Sequence, residues 1–133
     1  MKIKIKDYEI ELKAKYINEV EKWNYWRNWF RVYVKNLNNK QYTFFSFFDA
    51  PIRINKKELK GQALLEAFEC FLLDCLAGGY SLKEFMAEFG YKNEKEAEKI
   101  WEACRKQKEK FEKLFPGENL NEFIEKLRAV YLE

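Results

Sequence analysis

The groups best suited to acid/base or thiol chemistry lie in one apolar run, ALLEAFECFLLDCLAGG, as Glu66, Glu69, Cys70 and Asp74. On a helix Glu66 and Cys70 stand four apart and share a face. Such a cluster could move a proton or hold a metal ion. No second motif completes it. The chain has no His, which removes Ser–His and Cys–His pairs, His bases and His metal ligands. Hydroxyl side chains outside tyrosine are only Thr43, Ser46 and Ser81. Neither GxGxxG nor GxxxxGK occurs, so no phosphate-cradling loop is visible. The plainer reading puts these carboxylates on the wet edge of a buried helix. Neither enzymatic activity nor a cofactor nor a metal ion is expected. The three cysteines, Cys70, Cys75 and Cys104, sit in predicted helices among apolar residues and are expected as free buried thiols. A zinc site would need CxxC pairs or His.

A second set of residues suits recognition. The segment WNYWRNWFR supplies Trp23, Tyr25, Trp26, Arg27, Trp29 and Arg31, with Tyr33 two residues on. Trp, Tyr and Arg dominate the energetics of protein interfaces, so these seven are the candidate protein-binding residues. The competing reading makes most of them core, Trp29 above all. The aromatics with Arg27, Arg31 and Lys35 could also stack single-stranded nucleic acid. Arg53, Lys56, Lys57 and Lys60 face one Glu58 in a small basic run. They could touch phosphate, although such a run more often is a solvated helix start.

Composition bounds these options. A chain of 133 residues with 47% hydrophobic and 35% charged side chains suits one globular domain over residues 1–133. The net charge of +3 is close to balance, which argues against an acidic DNA mimic and gives little support to a strongly basic nucleic-acid binder. MKIKIKDYEIELK alternates rather than forming a signal peptide. The longest apolar run is interrupted by Glu66, Glu69 and Asp74 and is too short to span a bilayer. A cytoplasmic protein without membrane association is expected.

Periodicity then places the elements. Residues 2–16 alternate: Ile3 and Ile5 in one phase, Tyr8, Ile10, Leu12, Ala14 and Tyr16 in another. The phase shift near Asp7 implies a tight turn or a bulge, hence two short strands or one bent strand. Residues 17–28 have no clean period. WFRVYVKN and QYTFFSFF around LNNK predict a β-hairpin. On its first strand Phe30, Val32 and Val34 face one way, and Trp29, Arg31, Tyr33 and Lys35 the other. Its second strand has Tyr42, Phe44 and Phe48 on one face, and Phe45 and Phe47 on the other. A sheet apolar on both faces must be covered twice or offer one face to a partner.

After Pro51, Asn55 with Glu58 predicts a helix start and Gly78-Gly79 its end near Ala77. Leu64, Leu65, Phe68, Phe71, Leu72, Cys75 and Leu76 make that helix apolar over much of its circumference. Ser81 with Glu84 opens a short helix whose expected buried stripe is Leu82, Phe85, Met86 and Phe89. Gly90 stops it. Asn93 with Glu96 opens a third helix over about 94–115, with the stripe Ala97, Ile100, Trp101, Cys104, Phe111, Leu114 and Phe115. Pro116-Gly117 breaks it, and a last helix carries Leu120, Phe123, Ile124, Leu127, Val130 and Tyr131. The expected class is α+β: an N-terminal antiparallel sheet of three or four strands over residues 1–50, then a four-helix part over 51–133.

The corner between the second and third helices resembles a helix-turn-helix. A DNA-reading helix puts its start into the major groove. Here that start carries Glu94, Glu96 and Glu98, whose repulsion from phosphate outweighs Lys95. A packing corner is the better reading. The same stretch, LKEFMAEFGYKNEKEAEKIWEAC, preceded by the hairpin W…YVKNLNNKQYTFF, resembles a family of small proteins encoded by bacteriophages and other mobile elements. The shared pattern is a Trp-led hairpin, a helix, an EFGY corner and a long helix ending near a Cys. The matching residues are Trp29, Glu88, Phe89, Gly90, Tyr91, Ala97, Trp101 and Cys104. The likeness covers about residues 28–115, and the first 27 depart from the short form. Its motifs are structural, so no catalytic residue carries over. The resemblance implies a protein of the host bacterial cytosol that binds and inhibits a host defence complex, such as a CRISPR effector, by occluding a surface. The alternative is a nucleic-acid-binding accessory protein that uses the aromatic sheet and the basic run.

Overall fold

The structure is a computed structural model that describes residues 1–17, 27–48 and 62–132, with side-chain surroundings for 1–13, 31–44 and 64–130. Among the described residues the elements are four strands followed by four helices, an α+β arrangement. They are β1 (Lys2–Ile5), β2 (Tyr8–Ile17), β3 (Arg27–Asn36) and β4 (Tyr42–Phe48), then α1 (Gln62–Ala77), α2 (Leu82–Phe89), α3 (Glu94–Leu114) and α4 (Leu120–Leu132). Two compact units divide the chain: Met1–Glu69 with Lys126–Glu133, and Cys70–Glu125.

In the first unit the strands form one antiparallel sheet in the order β1-β2-β3-β4. The phase shift near Asp7 resolves as a two-residue turn, with Ile5 paired to Tyr8 across it. Lys6 takes a left-handed φ of 52° there. The turn inverts the parity, so Ile3 and Ile5 share a face with Tyr8, Ile10 and Leu12. Register then sets Ile10 against Val34 and Leu12 against Val32. All seven of these side chains are buried, and each contributes about 1.5–3 kcal/mol by leaving water. The β3–β4 loop is held by its own amides. The Asn36 side-chain oxygen accepts from Asn38 N–H (2.9 Å), and Lys40 N–H donates to Asn36 O (2.7 Å). A hydrogen bond from Leu37 N–H to Asp7 O (2.8 Å) ties this loop to the first turn. Leu64, Leu65 and Phe68 of α1 and Leu127 of α4 are buried. Arg128 Nε donates to Glu69 Oε1 at 2.6 Å.

The second unit begins at Cys70. Ser81 and Glu84 form the full capping box: Ser81 Oγ accepts Glu84 N–H and Glu84 Oε1 accepts Ser81 N–H, both at 3.1 Å. Gly90 ends α2 at φ 72°, a left-handed conformation that suits glycine. Asn93 caps α3 by accepting Glu96 N–H. Phe115 caps its far end, Gly117 follows at φ 76°, and Asn119 accepts Glu122 N–H to start α4. Gly78 serves another purpose than the left-handed stop its place suggested. It is buried, and a Cβ there would lie 2.5 Å from Cys104 O and 2.8 Å from Arg105 N. Glycine lets the end of α1 rest directly on the α3 backbone.

The core of this unit includes two clusters among the described residues. Ala77, Phe85, Ala97 and Cys104 form one, with Leu82, Met86, Tyr91 and Trp101 packed against it. Phe111, Phe115 and Phe123 form the other, with ring centroids 4.4–5.4 Å apart. Three expectations of burial fail. Phe89 is 52% exposed and Ile100 is also exposed. The burial of these stripes falls on Phe85 in α2 and on Ala97, Cys104, Phe111 and Leu114 in α3. Cys70 is exposed, because it shares the solvent face of α1 with Glu66 and not the face of Phe71, Leu72 and Cys75. The expected helix start near Asn55 lies outside the described residues. Among those described, no helix is long and apolar enough to cross a membrane.

Candidate functional site

The outer face of the sheet carries the side chains that alternate with its core. Glu9, Glu11 and Lys13 come from β2, and Arg31, Tyr33 and Lys35 from β3. The register sets Glu11 beside Tyr33 and Lys13 beside Arg31. It then sets Tyr33 beside Phe44 and Lys35 beside Tyr42 of β4. The three rings touch: Tyr33 and Phe44 stack at 5.7 Å, and Tyr33 and Tyr42 meet at 6.5 Å. Such cross-strand aromatic pairs stabilise a sheet. Yet Tyr42 and Phe44 remain 63% and 62% exposed, so most of their apolar area is available to a partner.

Charge on this face is organised around the rings. Lys13 Nζ lies 5.3 Å from the centre of the Tyr33 ring, within cation–π range. It also sits 2.9 Å from Glu11 Oε1. The hydrogen bond from Lys13 holds the Glu11 carboxyl below its usual range, with the Lys13 and Lys2 charges adding to it. The same bond raises the Lys13 ammonium. Lys2 approaches both Glu11 (3.8 Å) and Glu9 (4.0 Å). The face is therefore charged and internally paired on β1 and β2, and aromatic on β3 and β4.

Of the candidate protein-binding residues, Arg31 and Tyr33 lie on this face. Arg27 and Trp29 stand in β3 in phase with them, and Trp29 pairs with Lys15 and with Phe48 in the register. Trp23, Tyr25 and Trp26 lie outside the described residues, as do Arg53, Lys56, Lys57 and Lys60. Tyr42, Phe44 and Lys13 complete the site and were not among the sequence candidates. Alternation in QYTFFSFF already placed Tyr42 and Phe44 on one face. Their meeting with Tyr33 depends on the register that the Asn36–Gln41 loop imposes.

Glu66 and Asp74 are exposed, and Glu69 is held by Arg128. Among the described residues no three of His, Cys, Asp and Glu gather to hold a metal ion. Burial pushes the Cys75 thiol far up and the Cys104 thiol up to about 11, with the Asp74 charge adding to both. Both are neutral thiols at physiological pH and poor nucleophiles.

No family model, curated protein or solved structure matches the chain.

Proposed function

We propose that this chain is a non-enzymatic protein-binding protein that covers a surface of a host defence complex and so inhibits it. The observation that carries the binding part is the Tyr33–Tyr42–Phe44 cluster, two of whose rings are largely exposed. Exposed tyrosine and phenylalanine beside arginine is the composition of interface hot spots. The mobile-element context comes from the resemblance of the hairpin and the EFGY corner, and the choice of a defence complex as partner follows from that context.

A second reading shares the face. Lys13 over Tyr33, with Arg31 and Lys35 flanking Tyr33 on the same strand, could hold single-stranded nucleic acid by stacking and phosphate contact. Glu9 and Glu11 disfavour it, because they sit on the same face and already pair with Lys2 and Lys13. Salt separates the two: phosphate binding weakens steeply with ionic strength, and an aromatic protein interface much less.

The test is affinity capture of the tagged chain from a bacterial lysate with an active defence nuclease, with and without nuclease treatment. A defence protein should survive nuclease and high-salt washing and be lost with Tyr42→Ala/Phe44→Ala. Recovery of nucleic acid alone, released by salt, would replace this reading with the second.

A further inference from the structure

Among the described residues the sheet has two edge strands, β1 and β4, and their sequences treat the edge differently. An edge strand presents main-chain N–H and C=O groups that another strand can pair with. Short length and charged side chains, above all lysine, are the common protection. β1 is four residues long and reads KIKI, with Lys2 and Lys4 exposed. β4 is seven residues long and reads YTFFSFF, with no charge, proline or glycine. Tyr42, Thr43 and Phe44 are all exposed. Tyr42 and Phe44 alternate to the outer face and Thr43 to the other, so this end of β4 is open on both faces.

The ladder fixes which main-chain groups point outward. Asn36 N–H donates to Gln41 O (3.0 Å), and Leu37 N–H donates to Asp7 O (2.8 Å). Hydrogen-bonded and non-bonded pairs alternate along an antiparallel ladder. Thr43, Phe45 and Phe47 therefore bond back to β3 through their pairs with Val34, Val32 and Phe30. Tyr42, Phe44, Ser46 and Phe48 turn their N–H and C=O groups away from β3, to the edge. On β1, Met1 and Leu12 exchange bonds in both directions. The same alternation there leaves the groups of Lys2 and Lys4 pointing outward.

These positions make β4 complementary to itself. Let two copies meet antiparallel about a two-fold axis at Phe45. Tyr42 then lies opposite Phe48, Phe44 opposite Ser46, and the whole strand pairs. In each of these opposed pairs both residues face outward, which is the condition for exchanging two hydrogen bonds. No like charges meet. Such a contact is isologous and closes at two copies, because it consumes the unprotected edge of each and leaves the lysine-bearing β1 edges outermost.

We propose that two copies of this chain associate edge to edge through antiparallel β4 strands, doubling the four-stranded sheet. The main chain makes the contact, so the Tyr33–Tyr42–Phe44 face stays open on both copies. The inference stands without the reading of that face.

The test is sedimentation velocity of the purified full chain, with amide hydrogen exchange read by NMR at low and high concentration. The mass should rise from one chain to two between about 1 µM and 1 mM and stop there. On association the amides of Tyr42, Phe44 and Ser46 should slow about tenfold or more, and those of Lys2 and Lys4 should not change. Ser46→Pro removes one outward N–H and no bond to β3. It should be monomeric, with the Ile10 and Val34 amides still protected. Ser46→Lys gives β4 the protection that β1 has and should weaken the dimer at least about tenfold, which keeps the test decisive should the proline variant fail to fold. A chain monomeric up to about 1 mM, assembly beyond two copies, or a dimer that Ser46→Lys leaves intact would overturn the proposal. So would protection confined to the second unit at Leu73, Tyr80, Phe89 and Ile100, exposed apolar residues that line its cavity of ≈ 430 Å³. Partner capture plays no part in these measurements, so failure here is distinguishable from failure of the sheet-face reading.

Discussion

The aromatic residues of the sheet face and those of the helical cavity are of the same kinds but are exposed for different reasons. Tyr42 and Phe44 are exposed because a strand must put alternate residues on opposite faces, and their core-side neighbours are already committed. Phe89 and Ile100 are the exposed members of helical stripes whose buried members include Phe85 in α2 and Ala97 and Cys104 in α3. The sheet rings lie on an open face, and the helical rings line a concavity. Their mechanical settings also differ. The cavity wall shares Phe85 with the core of its unit, whereas the sheet rings stand across the sheet from theirs. Changes at the buried part of the cavity wall should therefore be felt mainly in stability, and changes at the sheet face mainly in binding.

The largest expected effect is at Phe85. Phe85→Ala should lower stability by about 3–5 kcal/mol, as for other buried phenylalanines. Phe89→Ala, four residues on in the same helix, should cost less than about 1 kcal/mol because its ring is half in water. Denaturant unfolding of the two variants measures the contrast, and equal losses would erase the distinction between wall and rim. Gly78→Ala comes next. Its Cβ meets backbone and not a flexible side chain, so α1 and α3 must separate at a cost of roughly 1–3 kcal/mol. Hydrogen exchange should quicken in α2 and α3 more than in β2 and β3.

Ser81→Ala removes an N-cap and should cost about 1 kcal/mol. The partner of that cap gives a pH dependence. Hydrogen bonding from the Ser81 backbone, then from its side chain, holds the Glu84 carboxyl below its ordinary 4.5. A lowered carboxyl contributes stability that is fully present above the ordinary value and is lost as pH falls through the folded one. Acid unfolding of Glu84→Gln should therefore show a shallower loss below pH 4.5 than the parent chain. The smallest effect is expected on the sheet. Tyr42→Ala/Phe44→Ala should shift stability by no more than about 0.5–1 kcal/mol, while abolishing capture of the partner.

Local relations were legible in the sequence. Ser81 with Glu84, Gly90, Asn93 with Glu96, and the break at Pro116-Gly117 all act within one helical turn, so residue type and spacing suffice. The phase shift at Asp7 was visible as a change of parity, although only pairing of Ile5 with Tyr8 distinguishes a turn from a bulge. What escaped depends on distant contacts. A stripe shows which face of a helix turns inward but not how far its cover extends, hence the misplacement of Phe89, Ile100 and Cys70. Gly78 read as a stop because its neighbour at Cys104 lies 26 positions away in the chain. At the candidate site the sequence supplied Arg31 and Tyr33, while Tyr42 and Phe44 joined them only through the register of β3 with β4.

The most direct test of the sheet face as the binding surface is hydroxyl-radical footprinting of the captured complex against the free chain. Oxidation should fall at Tyr33, Tyr42 and Phe44 and stay unchanged at Tyr80 and Phe89. Protection of Tyr80 and Phe89 with Tyr42 and Phe44 still reactive would contradict the account and move the binding surface to the helical unit.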